Sequence, residues 1–190
     1  LRRSSVLKKF EFFENKNIRA ANNSIARIDT NGGLYNCYLY TNGSRANQPY
    51  TYWPDVNGNF FINNLNSQNF EIEADYAWIY FSLSVPAFYE NKDIYVVGMF
   101  NNYALTEENR LEYNSKKGVF EKALMIKQGF TNYRYIVADK SGKIDEENAI
   151  DGNFSQTENN YFAIVYYREN NQRYDRVIGK GTASSLDIIN

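Results

Sequence analysis

The sequence predicts an all-β protein built as an antiparallel β-sandwich. Three observations carry that expectation. The 43% hydrophobic share leans on aromatics, with 17 Tyr and 13 Phe, and such rings suit pleated, half-buried surfaces. Short stretches of strand character recur at close spacing. Turns rich in Asn, Gly and Pro separate them, and no solenoid-type repeat period is present.

Residues 6–14, VLKKFEFFE, read as a strand, with Phe10 and Phe12 on one face and Lys9, Glu11 and Phe13 on the other. Residues 17–28 place Ile18, Ala21, Ile25 and Ile28 near helical spacing, but Asn22-Asn23-Ser24 interrupts them, giving a loop with one helical turn. Asn31-Gly32-Gly33 is a turn, residues 34–41 a strand, and Asn42-Gly43 its end. Residues 50–53 form a short extended piece stopped by Pro54, and Asn57-Gly58, ahead of a strand at 59–62, is the strongest hairpin signal in the chain. Residues 63–73 are polar, Asn-rich and without periodicity, and mark a domain boundary or a long loop.

The second part is organised around residues 94–168. Ahead of them, YAWIYFSLSV at 76–85 is a strand ended by Pro86. Residues 93–99 give the next strand, and Thr106 is suited to cap one helical turn over Glu107-Glu108-Asn109. After a short extended piece at 111–113 and a polar turn at 114–118 comes a strand at 119–127, broken by Gln128-Gly129. Residues 132–138 follow, with Tyr133, Tyr135 and Val137 on one face, and the two strands read as a hairpin. A polar connection at 139–160, a strand at 161–168, a turn at Glu169-Asn170-Asn171 and a polar strand at 173–181 close the chain.

Composition excludes several function classes. The net charge of −1 and pI of about 5.6 give no field that would draw in nucleic acid or anionic lipid. Arg2, Arg3, Lys8 and Lys9 read as a solvated strand end. Histidine is absent, which removes Ser-His-Asp and Cys-His catalysis and the commonest transition-metal ligand. Cys37 has no partner for an internal disulfide and reads as a small core residue in an alternating strand. No stretch approaches the roughly 18 apolar residues of a membrane helix, so direct membrane insertion is not expected. The chain starts at Leu1 without a signal peptide and reads as a piece of a longer polypeptide.

Three stretches invite a functional reading. With Gly142 set at the glycine of an EF-hand loop, the first and last ligand positions fall on Val137 and Asn148. Both positions need carboxylates, so residues 139–147 are a turn and no metal is expected. Glu107-Glu108 and Glu146-Glu147 are adjacent acids on polar loops, where they are solvated, and no catalytic residue or cofactor is expected. The loop at Asn101, Asn102 and Tyr103 combines two amides with an aromatic ring, a composition that stacks on sugars and bonds their hydroxyls. The competing reading has Tyr103 closing one end of the sandwich while the amides satisfy backbone groups.

VGMFNNY at 97–103, followed by GVFE at 118–121, resembles the glycogen-binding modules of the AMP-kinase and branching-enzyme type. That resemblance implies a small Ig-like, early-set sandwich over residues 74–190 and makes carbohydrate a candidate ligand. The family loop usually reads F-N-x-W, whereas this chain has Tyr103 in place of the Trp. A longer resemblance covers most of the chain. PYTYWPDVNGNFFI, EADYAWIYFSL, IYVVGMFNNYALTEENRL, KQGFTNYRYIV, GKIDEENAIDGNFSQTENNY and VYYRENNQRYDRVIG are similar, in that order, to the C-terminal part of the type IX secretion system plug family of Bacteroidota. It implies that residues 1–73 complete a preceding β-sandwich domain, with residues 74–190 the next, and that the protein is periplasmic, at the inner face of the outer membrane. Its implied role is non-enzymatic: it blocks the periplasmic opening of a β-barrel translocon.

Overall fold

The computed structural model describes residues 10–49, 55–86, 89, 91–152 and 160–184. Two compact units are present, Leu1–Asn153 and Phe154–Asn190. The first is a β-sandwich. Its smaller sheet is built on β10 (Gly129–Ala138), which pairs antiparallel with β1 (Glu11–Glu14), β5 (Phe60–Ile62) and β7 (Asp93–Val97). Its larger sheet runs β2 (Ile25–Asn31), β3 (Leu34–Leu39), β6 (Tyr76–Ser84), β9 (Val119–Lys127) and β8 (Glu112–Asn114), with β4 (Asn42–Gly43) also on β6.

The core lies between the two sheets. Cys37, Ala77, Ile79, Phe81 and Leu83 point inward from the larger sheet and meet Phe13, Val96, Tyr133 and Tyr135 of the smaller. Phe81 is the hinge of this packing, edge-on to Tyr133 at 5.0 Å and to Phe13 at 6.0 Å. Such T-shaped contacts add to the area buried and fix ring orientation. The hydroxyls of Tyr133 and Tyr135 both donate to Asn42 Oδ1, at 2.8 and 2.9 Å, so the buried polar ends are satisfied.

The strands expected at 76–85, 93–99 and 119–127 are present, as are the turns at Gly32-Gly33 and 114–118. Gly32 and Gly33 both hold positive φ, as a two-residue hairpin between β2 and β3 requires. Thr106 precedes a 3-10 turn at Glu107–Asn109. Residues 6–9 and 50–53 lie outside the described residues.

Four expectations need correction. Residues 25–28, expected in a loop with a helical turn, belong to β2; Ile25 enters the core, and the spacing of the isoleucines reflects a turn at 18–19 and bends at 20 and 23–24 followed by a strand. The larger sheet is mixed, because β3 and β4 run parallel to β6. β9 and β10 are consecutive but form no hairpin: β9 pairs with β6 and β8, whereas β10 joins the other sheet. The chain changes sheets at Gln128-Gly129. The buried Gln128 side chain accepts from Asp75 N–H at 3.0 Å and donates to the Asn15 and Lys16 carbonyls, holding the corner. Finally, no boundary falls at residue 73. Strands on both sides of it share sheets, as β3 with β6 and β1 with β10, and the chain divides instead between residues 153 and 154.

The second unit is a two-stranded antiparallel hairpin, β11 (Asn160–Tyr167) against β12 (Arg176–Ser184), with an irregularity between Val165 and Tyr166.

Candidate functional site

Asn101, Asn102 and Tyr103 follow β7 and turn tightly. A 3-10 turn at Met99–Asn101 leads into Asn102 and Tyr103, both left-handed at φ 52° and 57°. The Asn101 side chain accepts from Gly98 N–H at 3.1 Å, and Tyr103 N–H donates to the Gly98 carbonyl at 3.0 Å. The Tyr103 hydroxyl donates to the Gly58 carbonyl, and its ring lies 5.4 Å from the Arg134 guanidinium and 6.4 Å from Phe10. Burial raises the Tyr103 pKa, with Arg134 opposing and Asp55 assisting. Asn101 and Tyr103 thus bond the protein's own backbone, while Asn102 is exposed.

The other marked residues have internal roles. Cys37 is fully buried, and burial, with the charge of Asp29 adding, pushes its thiol up to about 11. Asp139 accepts from Ser141 N–H, Ser141 Oγ and Lys143 N–H, which makes residues 139–143 a side-chain-closed turn. Asp145 pairs with Lys92 at 3.0 Å. Glu107 pairs with Arg110 at 2.6 Å, and Glu108, Glu146 and Glu147 are exposed. Among the described residues, no cluster of three or more His, Cys, Asp or Glu side chains has a geometry that could hold a metal ion. No helix among them is long and apolar enough to cross a membrane.

One buried acid escaped the sequence reading. Asp151 accepts from Tyr135 N–H at 2.7 Å and lies 3.5 Å from Arg45, which pairs with Glu11 at 2.8 Å. Burial raises its pKa to about 7; Arg45 and the Tyr135 bond oppose the rise and Glu11 adds to it. Nothing in NAIDGN distinguishes Asp151 from a loop acid, because its burial depends on long-range packing.

Two surfaces stand out. The first is the outward face of the larger sheet, where the pairing aligns side chains in rows across the strands. One row runs Arg27, Tyr38, Tyr80, Ala123, and the next Asp29, Asn36, Trp78, Met125. The Arg27 guanidinium lies 3.7 Å over the Tyr38 ring, and Tyr38 stacks on Tyr80 at 4.4 Å and 18°. Beside Tyr80 the sheet falls away into a groove of about 1000 Å³, walled on the far side by the β8–β9 turn. The alternation of YAWIYFSLSV carried this face, since every second residue there is polar or aromatic.

The second surface is the β11–β12 hairpin. Its side chains alternate between two faces, yet both faces are apolar. Phe162, Ile164 and Tyr166 are 69%, 50% and 60% exposed, and Tyr161, Val165 and Tyr167 on the alternate positions are 42–52% exposed. A strand apolar on both sides is the pattern of one buried within a layered structure.

No protein-family model matches the chain, and no curated protein does. The fold defines it as a β-sandwich protein with an appended apolar hairpin. It is similar to a solved protein described as hypothetical, from Parabacteroides merdae ATCC 43184, with 30% sequence identity and a TM-score of 0.82. The match covers 94% of this chain and 45% of that one, so this chain spans less than half of its neighbour's length.

Proposed function

We propose that this chain is part of a non-enzymatic plug, which binds the periplasmic opening of an outer-membrane type IX secretion translocon and occludes it sterically. The observation that carries a protein-binding role is the β11–β12 hairpin. A lone two-stranded hairpin is marginal in water, and large exposed apolar patches mark interaction surfaces. A partner that covers both faces removes that apolar area from water. The finer identification is supported by the ordered motifs that resemble the plug family. A sandwich braced by Phe13, Phe81 and Tyr133 suits a steric role, since a stopper has to be stiff. In this reading the protein works in the periplasm at the inner face of the outer membrane, without cofactor or catalysis.

Deleting the gene in its host tests the reading. The expected result is an outer membrane that admits large antibiotics and dyes, restored to normal by the full-length gene. Unchanged permeability would overturn it.

A further inference from the structure

We infer that two copies of this chain pair through the open edge of β11, antiparallel and about a two-fold axis at Ile164, into a four-stranded sheet with the β11 strands at its centre. The pairing uses the edge of the hairpin and leaves both of its faces to a partner, so it stands apart from the plug reading.

The two edges of the hairpin are unlike. Among the described residues, β11 and β12 pair only with each other, so each keeps one row of backbone groups without a ladder partner. Proteins guard such edges with charge, above all lysine, and with bulges. β12 carries both devices. It holds Arg176 and Lys180, Gly179 and Gly181 interrupt it, and its pairing with β11 skips Ile178. β11 carries none of them: Asn160–Tyr167 reads NYFAIVYY, without a charge, a Gly or a Pro, and every residue in it is exposed. An unguarded edge beside a guarded one marks β11 as the side that receives another strand.

The sequence of β11 says which strand that is, because around Ile164 it is close to a palindrome. Reversed onto itself about that residue, Tyr161 meets Tyr167, Phe162 meets Tyr166 and Ala163 meets Val165. An antiparallel pair of β11 strands thus sets aromatic against aromatic in its outer rows, the kind of cross-strand pair that stabilises a sheet. No like charges face each other, since the strand has none. Pairing also takes the hairpin from two strands, which are marginal in water, to four. The guarded β12 of each copy then lies outermost, so growth stops at two copies. A strand of eight residues is about 27 Å long at about 3.4 Å per residue. Pairing along it buries on the order of 1,000 Å² in total, the small end for a specific interface. The dimer is therefore a weak one, in exchange with monomer at micromolar concentrations.

The test is sedimentation velocity of the 190-residue chain at protein concentrations from about 1 to about 500 µM. A monomer–dimer equilibrium is expected, with no larger species. Ala163→Lys combined with Val165→Lys sets like charges against each other in two rows and should weaken dimerisation about tenfold or more. Ala163→Lys combined with Val165→Glu sets opposite charges in the same rows and should keep the dimer. Across the hairpin these two positions face Gly181 and Gly179, so the new charges meet no others there. A hairpin that merely failed to fold would lose the dimer in both variants alike. Val177→Lys, on β12 across from Tyr166, places the same charge on a face of the hairpin and should leave the dimer unchanged. Monomer at every concentration, assembly that runs past the dimer, loss with both double variants, or an equal loss with Val177→Lys would each overturn the inference.

Discussion

At Gly129 the chain leaves one sheet for the other with φ at 149°, a value that L side chains rarely adopt. A Cβ there would lie 2.0 Å from the Phe61 carbonyl oxygen, a backbone atom that cannot swing aside. Gly129→Ala should therefore lower stability by about 2 kcal/mol or more, read from urea unfolding. A neutral result would mean that the corner relaxes. Asn42 makes a different point. Its side-chain oxygen serves two buried tyrosine hydroxyls at once, so Asn42→Ala leaves both without their acceptor. The expected loss is about 2–4 kcal/mol, and Tyr133→Phe alone should cost about 1 kcal/mol. Asp151 carries the pH dependence. Its folded pKa of about 7 stands above the ordinary value of 3.8, so the folded state holds the proton more tightly than the unfolded chain. That contribution is complete at acid pH and is lost as pH rises from about 4 to about 7. Asp151→Asn should flatten the decline by up to about 1.4 kcal/mol per pH unit in that window. Parallel stability curves for the two proteins would contradict the assignment. None of these three roles was legible in the sequence: Asn42-Gly43 and Gln128-Gly129 look like ordinary turns, and Asp151 like a loop acid, until distant strands are brought against them.

Elements were read more successfully than their partners. The alternation of YAWIYFSLSV marks β6, and the paired glycines at 32 and 33 mark the β2–β3 turn, because both signals are local. Sheet membership is not local. β9 and β10 carry strand patterns separated by a turn dipeptide, which is also how a hairpin looks, and only the clamp of Gln128 on Asp75, Asn15 and Lys16 sends them to different sheets. The polar run at 63–73 suggested a boundary, yet it simply connects strands of one sandwich and contains a single helical turn at Phe70–Glu73. The loop at Asn101, Asn102 and Tyr103 was legible as a loop; the left-handed φ of Asn102 suits an amide residue, whereas that of Tyr103 has no local signal. At the C-terminal side, NYFAIVYY reads as a strand from its aromatic and β-branched residues, but its consequence lies in exposure. Phe162→Ser combined with Ile164→Ser should leave thermal unfolding of the Leu1–Asn153 sandwich within about 0.5 kcal/mol of wild type, because surface changes away from packed features are usually that small. A large loss would mean that those side chains support the sandwich instead of a partner.

For the whole molecule, the described residues amount to a braced sandwich and an apolar hairpin, with the marked acids and the lone thiol committed to internal pairs, buried, or standing on exposed loops. Composition says nothing of how the surfaces are assembled: the groove beside Tyr80 arises only from the register of four strands. The central claim is that the hairpin engages a translocon partner, and affinity purification of the full-length protein from outer-membrane extracts, with partners identified by mass, tests it most directly. The account predicts recovery of the β-barrel translocon with wild-type protein and its loss with the Phe162→Ser, Ile164→Ser variant. Absence of any translocon component, or equal recovery with both proteins, would contradict it.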